Sequence, residues 1–171
     1  FLCGAFMKKI GLVFCLVLFF SISFQVNAQW FWQNPLPMSE SFYDVTFIDE
    51  NNGWAVGYSG AILKTTDGGL NWVILDYVTD ESLKAIDFSD INNGWIVGRQ
   101  GSVLKTTDGG LTWNIDSLGS NYNLTNIQFI DNNIGWISAL DITNHKGLIF
   151  KTTDSGSNWL IKYDEPINYI N

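Results

Sequence analysis

One stretch of sequence occurs three times in this chain. It reads NNGWAVGYSGAILKTTDGGLNW from Asn51 to Trp72, NNGWIVGRQGSVLKTTDGGLTW from Asn92 to Trp113, and NNIGWISALDITNHKGLIFKTTDSGSNW from Asn132 to Trp159. Repeats of this length are supersecondary units that cannot bury their apolar faces alone and must stack on one another. The repeat therefore restricts the fold to an array of like units. It also sets an expectation for its own residues. A packing solution recurs once per unit, whereas a catalytic constellation occurs once.

Trp54, Trp95 and Trp136 are spaced by 41 residues in both intervals, while Asp67, Asp108 and Asp154 are spaced by 41 and then 46. The third unit thus carries a five-residue insertion between Trp136 and Asp154. Within the first unit, the β-rich segments Tyr43–Ile48, Trp54–Gly57, Ala61–Thr65 and Trp72–Asp76 alternate with the turn clusters Asp49–Gly53, Ser59-Gly60 and Asp67-Gly68-Gly69. No sustained 3.6-residue apolar period runs outside the N-terminal segment. Four antiparallel strands in 41 residues have the size of one propeller blade. A β-solenoid uses shorter coils, and a sandwich does not repeat its sequence.

The expected fold is all-β, a β-propeller of four-stranded antiparallel blades at about 41–81, 82–122 and 123–166. The first strand of each blade is expected to be innermost. Val45 and Phe47, Ile86 and Phe88, and Ile127 and Phe129 recur there at period two, facing the neighbouring blade. Trp54, Trp95 and Trp136 open the second strands and read as inter-blade core. A ring takes about four to eight blades, so the chain reads as part of a longer ring. Residues 30–34 read as an orphan fourth strand, and Ile167–Asn171 as the start of a further unit. The rival is self-association of such arcs into a closed ring.

Residues 7–28 have the form of a secretory signal: Met7-Lys8-Lys9, an apolar run from Ile10, and small residues at Val26-Asn27-Ala28. The apolar core, Ile10–Phe24, is short for a membrane anchor of about 20 residues, so no stable membrane span is expected after cleavage. The expected location is secreted, periplasmic or cell-surface. Cys3 and Cys15 both precede the cleavage point, which leaves no disulfide, thiolate nucleophile or cysteine metal site beyond it. The whole chain has a net charge of −8, and loss of Lys8 and Lys9 makes it more acidic. Nucleic acid is excluded as a partner, because phosphate binding needs clustered Lys and Arg. No cofactor or metal is expected.

The turn Thr65-Thr66-Asp67-Gly68-Gly69-Leu70-Asn71-Trp72 recurs at Thr106–Trp113 and Thr152–Trp159. Asp can accept bonds from main-chain N–H groups just beyond it, and Gly permits positive φ. Gly68 and Gly109 are replaced by Ser155, whereas Gly69, Gly110 and Gly156 persist, so the second glycine is expected to hold the left-handed conformation. The Trp of each turn, Trp72, Trp113 or Trp159, is expected to clamp the fourth strand to the third. Each Asp stands alone without a second carboxylate at ligand spacing, which favours a structural role for Asp67, Asp108 and Asp154.

This turn resembles the Asp-box, or bacterial neuraminidase repeat. The wider unit, from the Asn-Asn pair through Gly-Trp and Leu-Lys-Thr-Thr-Asp to the final Trp, resembles the photosystem II stability/assembly factor-like repeat proteins over residues 30–166. That resemblance implies a β-propeller acting as a non-catalytic scaffold that holds assembly partners. It concerns the repeat architecture, which secreted bacterial proteins share, and does not imply photosynthesis. In families that carry the box, it serves the fold and lies away from the active site.

Function is therefore sought where the units differ. The insertion falls in the loop between second and third strands, Ser138–Gly147, with Asp141, Asn144, His145 and Lys146; the same loop of the second unit carries Arg99 and Gln100. Loops on a rigid scaffold are where binding concentrates. These residues suit hydrogen bonding to a protein or glycan partner. The alternative is an Asp-box glycoside hydrolase of sialidase or related type with catalytic residues further along. A sialidase needs several arginines, and Arg99 is the only one here. Other propeller glycosidases use a carboxylate pair. Asp44, Asp87 and Asp141 are available, but nothing in the spacing pairs them.

Overall fold

The computed structural model describes residues 41–75 and 78–166. Twelve strands form three four-stranded antiparallel sheets in sequence order. Blade 1 holds β1 (Phe42–Phe47), β2 (Gly53–Gly57), β3 (Ile62–Thr65) and β4 (Val73–Ile74). Blade 2 holds β5 (Leu83–Phe88), β6 (Gly94–Gly98), β7 (Ser102–Thr106) and β8 (Asn114–Ser117). Blade 3 holds β9 (Tyr122–Phe129), β10 (Gly135–Asp141), β11 (Lys146–Thr152) and β12 (Leu160–Pro166). The all-β propeller expectation holds. The proposed signal at 7–28, the orphan strand at 30–34 and the start of a further unit at 167–171 lie outside the described residues.

The boundary between blades 2 and 3 moves. Tyr122, assigned from sequence to blade 2, instead opens β9 and pairs with Asp141 at the far end of β10. The inserted residues lengthen the β10–β11 hairpin, and the first strand extends alongside it. Ser138–Asp141 and Lys146-Gly147, read as loop, are therefore strand; Leu140 pairs with both Gly147 and Asn123. Only Ile142–His145 forms the turn.

The blades are held together by an aromatic joint. Trp54 stacks on Phe88 of the next blade with centroids 3.8 Å apart, and Trp95 stacks on Phe129 at 3.5 Å. Both indoles are fully buried. The Phe ring also explains the invariant Gly before each Trp. A Cβ on Gly94 would lie 2.5 Å from the ring of Phe88, which folds over it from β5. Phe88 is thus pressed between its own Gly94 and the preceding blade's Trp54. Its edge meets Trp113, with centroids 6.1 Å apart. The box Trp therefore does not simply clamp the fourth strand to the third; its ring reaches the first-strand Phe of its own blade. Such aromatic pairs add about 0.5–1.5 kcal/mol each beyond the area they bury.

Inner strands expose N–H groups on their open edge, and buried donors need partners. Asp44 supplies them across the first joint, accepting from Val45 N at 2.9 Å and Ile86 N at 3.0 Å. Asp87 does so across the second, accepting from Phe88 N at 3.0 Å and Phe129 N at 2.6 Å. Each first strand carries a register shift just before this region, at Phe42/Asp44 and Leu83/Ala85. Lys84, inside the second shift, sits over the ring of Tyr43 at 3.4 Å.

Candidate functional site

Each blade presents two ends. One carries the β1–β2 type loops and the box turns; the other carries the β2–β3 type turns and the links between blades. We term them the box end and the loop end.

At the box end, one hydrogen-bond set is built three times. The Thr106 hydroxyl donates to Asp108 Oδ1 at 2.8 Å and accepts from Gly110 N at 2.9 Å. Asp108 accepts from Thr112 N at 2.9 Å and from the Thr112 hydroxyl at 2.6 Å. Thr65, Asp67, Gly69 and Asn71 repeat the pattern, as do Thr152, Asp154, Gly156 and Asn158. The Thr112 hydroxyl and N–H hold the Asp108 carboxyl down at about 2, and the Asn158 amide and N–H do the same for Asp154. Asp67 is lowered first by the Asn71 N–H. These carboxylates organise turns.

The turns also reach the preceding blade. Gly109 O accepts from Trp54 Nε1 at 3.1 Å and from Lys64 Nζ at 2.8 Å, and Ser155 O accepts from Trp95 Nε1 at 3.1 Å. The second glycine is left-handed as expected, with φ of 84°, 85° and 80° at Gly69, Gly110 and Gly156, but the first position is left-handed as well. Gly68, Gly109 and Ser155 have φ of 70°, 71° and 60°, so both turn positions are left-handed. Crowding is present at both: a Cβ on Gly109 would lie 2.9 Å from Ile91 O. A Cβ on Gly110 would lie 3.0 Å from Trp54 Nε1 and 3.3 Å from the Trp113 ring. The first position tolerates Ser155, whose hydroxyl bonds to Asn133 Oδ1 at 3.0 Å.

At the loop end the blades differ. In blade 2 the turn Arg99–Gly101 is tied down on both sides. Arg99 N donates to Ser82 O at 3.0 Å, Leu118 N donates to Gly101 O at 3.0 Å, and the Gln100 amide bonds to the Glu81 carboxylate. The Arg99 side chain itself is exposed. In blade 3, Asp141 is buried and accepts from Thr143 N, Asn144 N and Asn144 Nδ2, each at 2.9 Å. The Asn144 amide first, then its N–H, lowers the Asp141 carboxyl. Ile142 N donates to Asn121 O, fastening the hairpin tip to the link before β9. Lys146 pairs with Asp164 of β12 at 2.9 Å. His145 is exposed with φ 53°.

The sequence-derived residues thus separate. Asp141, Asn144 and Lys146 build the raised hairpin, Gln100 is held against Glu81, and Arg99 and His145 face outward. Sequence reasoning weighed Asp44 and Asp87 only as acids available to the alternative hydrolase, with nothing to pair them, and missed that they bridge blades. Burial raises the Asp87 carboxyl, the N–H groups of Phe129 and Phe88 pull it back, and the nearby Asp44 charge adds to the rise. Their position, one residue before an apolar first-strand residue, was the available signal.

Residues 23–170 match the family model described as photosynthesis system II assembly factor YCF48. The chain resembles the structure of YCF48 bound to D1 peptide at 33% identity, with a TM-score of 0.63, covering 74% of this chain and 41% of that one. It resembles YCF48 from Cyanidioschyzon merolae at 26% identity, with a TM-score of 0.65, covering 78% of this chain and 43% of that one. The chain therefore spans under half the length of these relatives. Likeness to the GH74 enzyme of Niastella koreensis, at 17% identity and a TM-score of 0.57 over 69% of this chain and 21% of that one, is a likeness of fold.

Proposed function

Because the chain belongs to the photosynthesis system II assembly factor YCF48 family, we propose that it acts as a non-catalytic propeller scaffold that holds a protein partner on its loop end. The observation that carries this reading is its likeness, at 33% identity, to YCF48 bound to D1 peptide. The local chemistry agrees. Asp44, Asp87 and Asp141, the acids a glycoside hydrolase would draw on, accept main-chain N–H bonds here. The box carboxylates do the same within their turns. The loop end offers polar groups on rigid supports, Arg99 and His145 among them, and suits a polar peptide segment. The leader-like residues 7–28 support a secreted, periplasmic or cell-surface location.

Fluorescence anisotropy with a labelled D1 peptide tests the proposal. Saturable binding is expected, weakened by Arg99→Ala and His145→Ala together. Absence of binding sinks the peptide reading, and unchanged affinity in the double variant moves the site off the loop end. Release of reducing sugar from a glucan or a sialoside by the chain would instead favour the hydrolase.

A further inference from the structure

The link from blade 2 to blade 3, Leu118–Asn121, runs between two turns of the loop end and is bonded to both. On one side, Leu118 N donates to Gly101 O at 3.0 Å, and a Cβ on Gly101 would lie 2.4 Å from Gly119 O. On the other, Asn121 O accepts from Ile142 N at 2.9 Å, at the tip of the lengthened hairpin. The middle of the link is Gly119-Ser120, and Ser120 is exposed. Small residues thus separate the blade 2 turn at Arg99–Gly101 from the blade 3 turn at 142–145.

Both turns use most of their polar groups internally. Asp141 accepts from Thr143 N, Asn144 N and the Asn144 amide, and Lys146 is paired with Asp164. The Gln100 amide is held by Glu81, and the Ser117 hydroxyl donates to Gln100 O at 3.1 Å. Two unlike side chains then face outward on either side of the link. Arg99 is exposed and makes no ion pair among the described residues. Ile142 is 44% exposed on a tip whose backbone is already fixed. Arg99 belongs to the blade that has a neighbour on both sides, and Ile142 is bonded to the link that enters from that blade, so this surface belongs to a joint described on both sides.

Resting on the peptide-scaffold reading above, we propose that Gly119-Ser120 seats an extended peptide, that Arg99 pairs with an acidic side chain of that peptide, and that Ile142 packs on an apolar one beside it. A guanidinium fork suits a carboxylate. An exposed ion pair alone contributes little, and an apolar contact alongside it, which excludes water, is what gives such a pair weight. The five-residue insertion supplies that contact, since it lengthens the hairpin that carries Ile142. A glycan fits less well, because its hydroxyls need unused donors and acceptors, and the Asn144 and Gln100 amides are engaged. Both turns are fixed by main-chain bonds before a ligand arrives, which lowers the ordering cost of binding.

A phage-displayed random peptide library selected on the 171-residue chain tests this. Enriched peptides are expected to carry Asp or Glu close to Leu, Ile, Val or Phe. In fluorescence anisotropy, exchanging that acid for its amide should weaken binding to the parent chain at least about tenfold and binding to Arg99→Ala far less, since both changes remove one contact. Ser120→Tyr fills the seat from an exposed position and should abolish binding at an unchanged melting temperature. Arg99→Glu should select Lys or Arg in place of the acid, a gain that an unfolded variant could not give. Ile142→Ser should remove the apolar preference and keep the acidic one. Enrichment with neither preference, or an Arg99→Glu variant that still selects acids, overturns the proposal. Peptide capture that is indifferent to Ser120→Tyr removes the seat and leaves the scaffold reading standing, whereas a chain that takes neither the library nor the labelled D1 peptide removes both.

Discussion

The box end and the loop end of blade 2 are carried by the same strands, yet they tolerate different amounts of change. At the box end, Thr106, Asp108 and Gly110 repeat the bonds of the other two blades, and the carbonyl of Gly109 receives an indole N–H from blade 1. At the loop end, the turn at Arg99–Gly101 gives way in blade 3 to a lengthened hairpin organised by Asp141. The difference follows from what each end touches. A box turn is part of the joint with the preceding blade, so any change there is felt across two sheets. A loop-end turn binds mainly its adjoining links and is free to grow.

The largest effect that would test this contrast is expected at the joint itself. Trp95→Ala should destabilise by about 3–5 kcal/mol, because it empties a fully buried site between two blades. Trp136→Ala removes the same residue type from a position in blade 3 that is only partly buried and should have a smaller effect. Urea midpoints of the two variants measure the difference. Equal losses would mean that the joint is not where the stability lies.

Next in size is a pair of turn substitutions. Gly110→Ala puts a methyl group 3.0 Å from Trp54 Nε1 at φ 85°, and should destabilise by about 1–3 kcal/mol. Gly109→Ser places its Cβ 2.9 Å from Ile91 O, a contact the backbone must relieve, but it reproduces the third blade's own choice, Ser155 at φ 60°, and should cost less, about 1 kcal/mol. Thermal melts of both variants decide it. The reverse order would mean that the contact with the Ile91 carbonyl constrains the turn more than the contact with the neighbouring indole.

The carboxylates give a smaller, pH-dependent test. Asp108 and Asp154 sit at about 2 in the folded chain, below the ordinary value near 3.8. A lowered folded pKa contributes stability that is present above about pH 4 and lost as pH falls through about 2. Asp87 runs the other way. Its carboxyl is raised by burial, so its contribution is fully present below the ordinary value and lost as pH rises through the folded one. Unfolding midpoints of Asp108→Asn should therefore fall less steeply below pH 4 than those of the parent chain. Asp87→Asn should instead remove part of the decline above pH 4.

The blades were legible in the sequence because strand alternation, turn clusters and the 41-residue spacing all report local structure. The partners across the joint were only half legible. Periodicity placed Phe88 on a blade-facing side, but the gap between Trp54 and Phe88 is bridged by three-dimensional stacking that no local pattern encodes. Asp44 and Asp87 accept N–H groups of the next blade, a pairing across sheets that no local pattern announces. Ser138–Gly147 reads as a loop because its residues are small and polar, yet Asp141 and Asn144 close it into a hairpin while Tyr122 and Asn123 pair alongside. Strand formation there follows from its neighbours more than from its own composition.

The smallest expected stability effect is at the exposed loop-end residues, and it is the most informative for function. Arg99→Ala removes an exposed side chain whose backbone, through Arg99 N and Ser82 O, already fixes the turn. Stability should change by no more than about 0.5 kcal/mol. His145→Ala is more exposed to a backbone effect, since φ there is 53°, and His145→Gly should relieve that conformation and stabilise slightly. If partner binding falls in Arg99→Ala while the melting temperature does not, the loop end separates binding from folding, as its divergence among the blades implies. If the melting temperature falls with it, Arg99 belongs to the scaffold, and the two ends of the blade are under the same constraint after all.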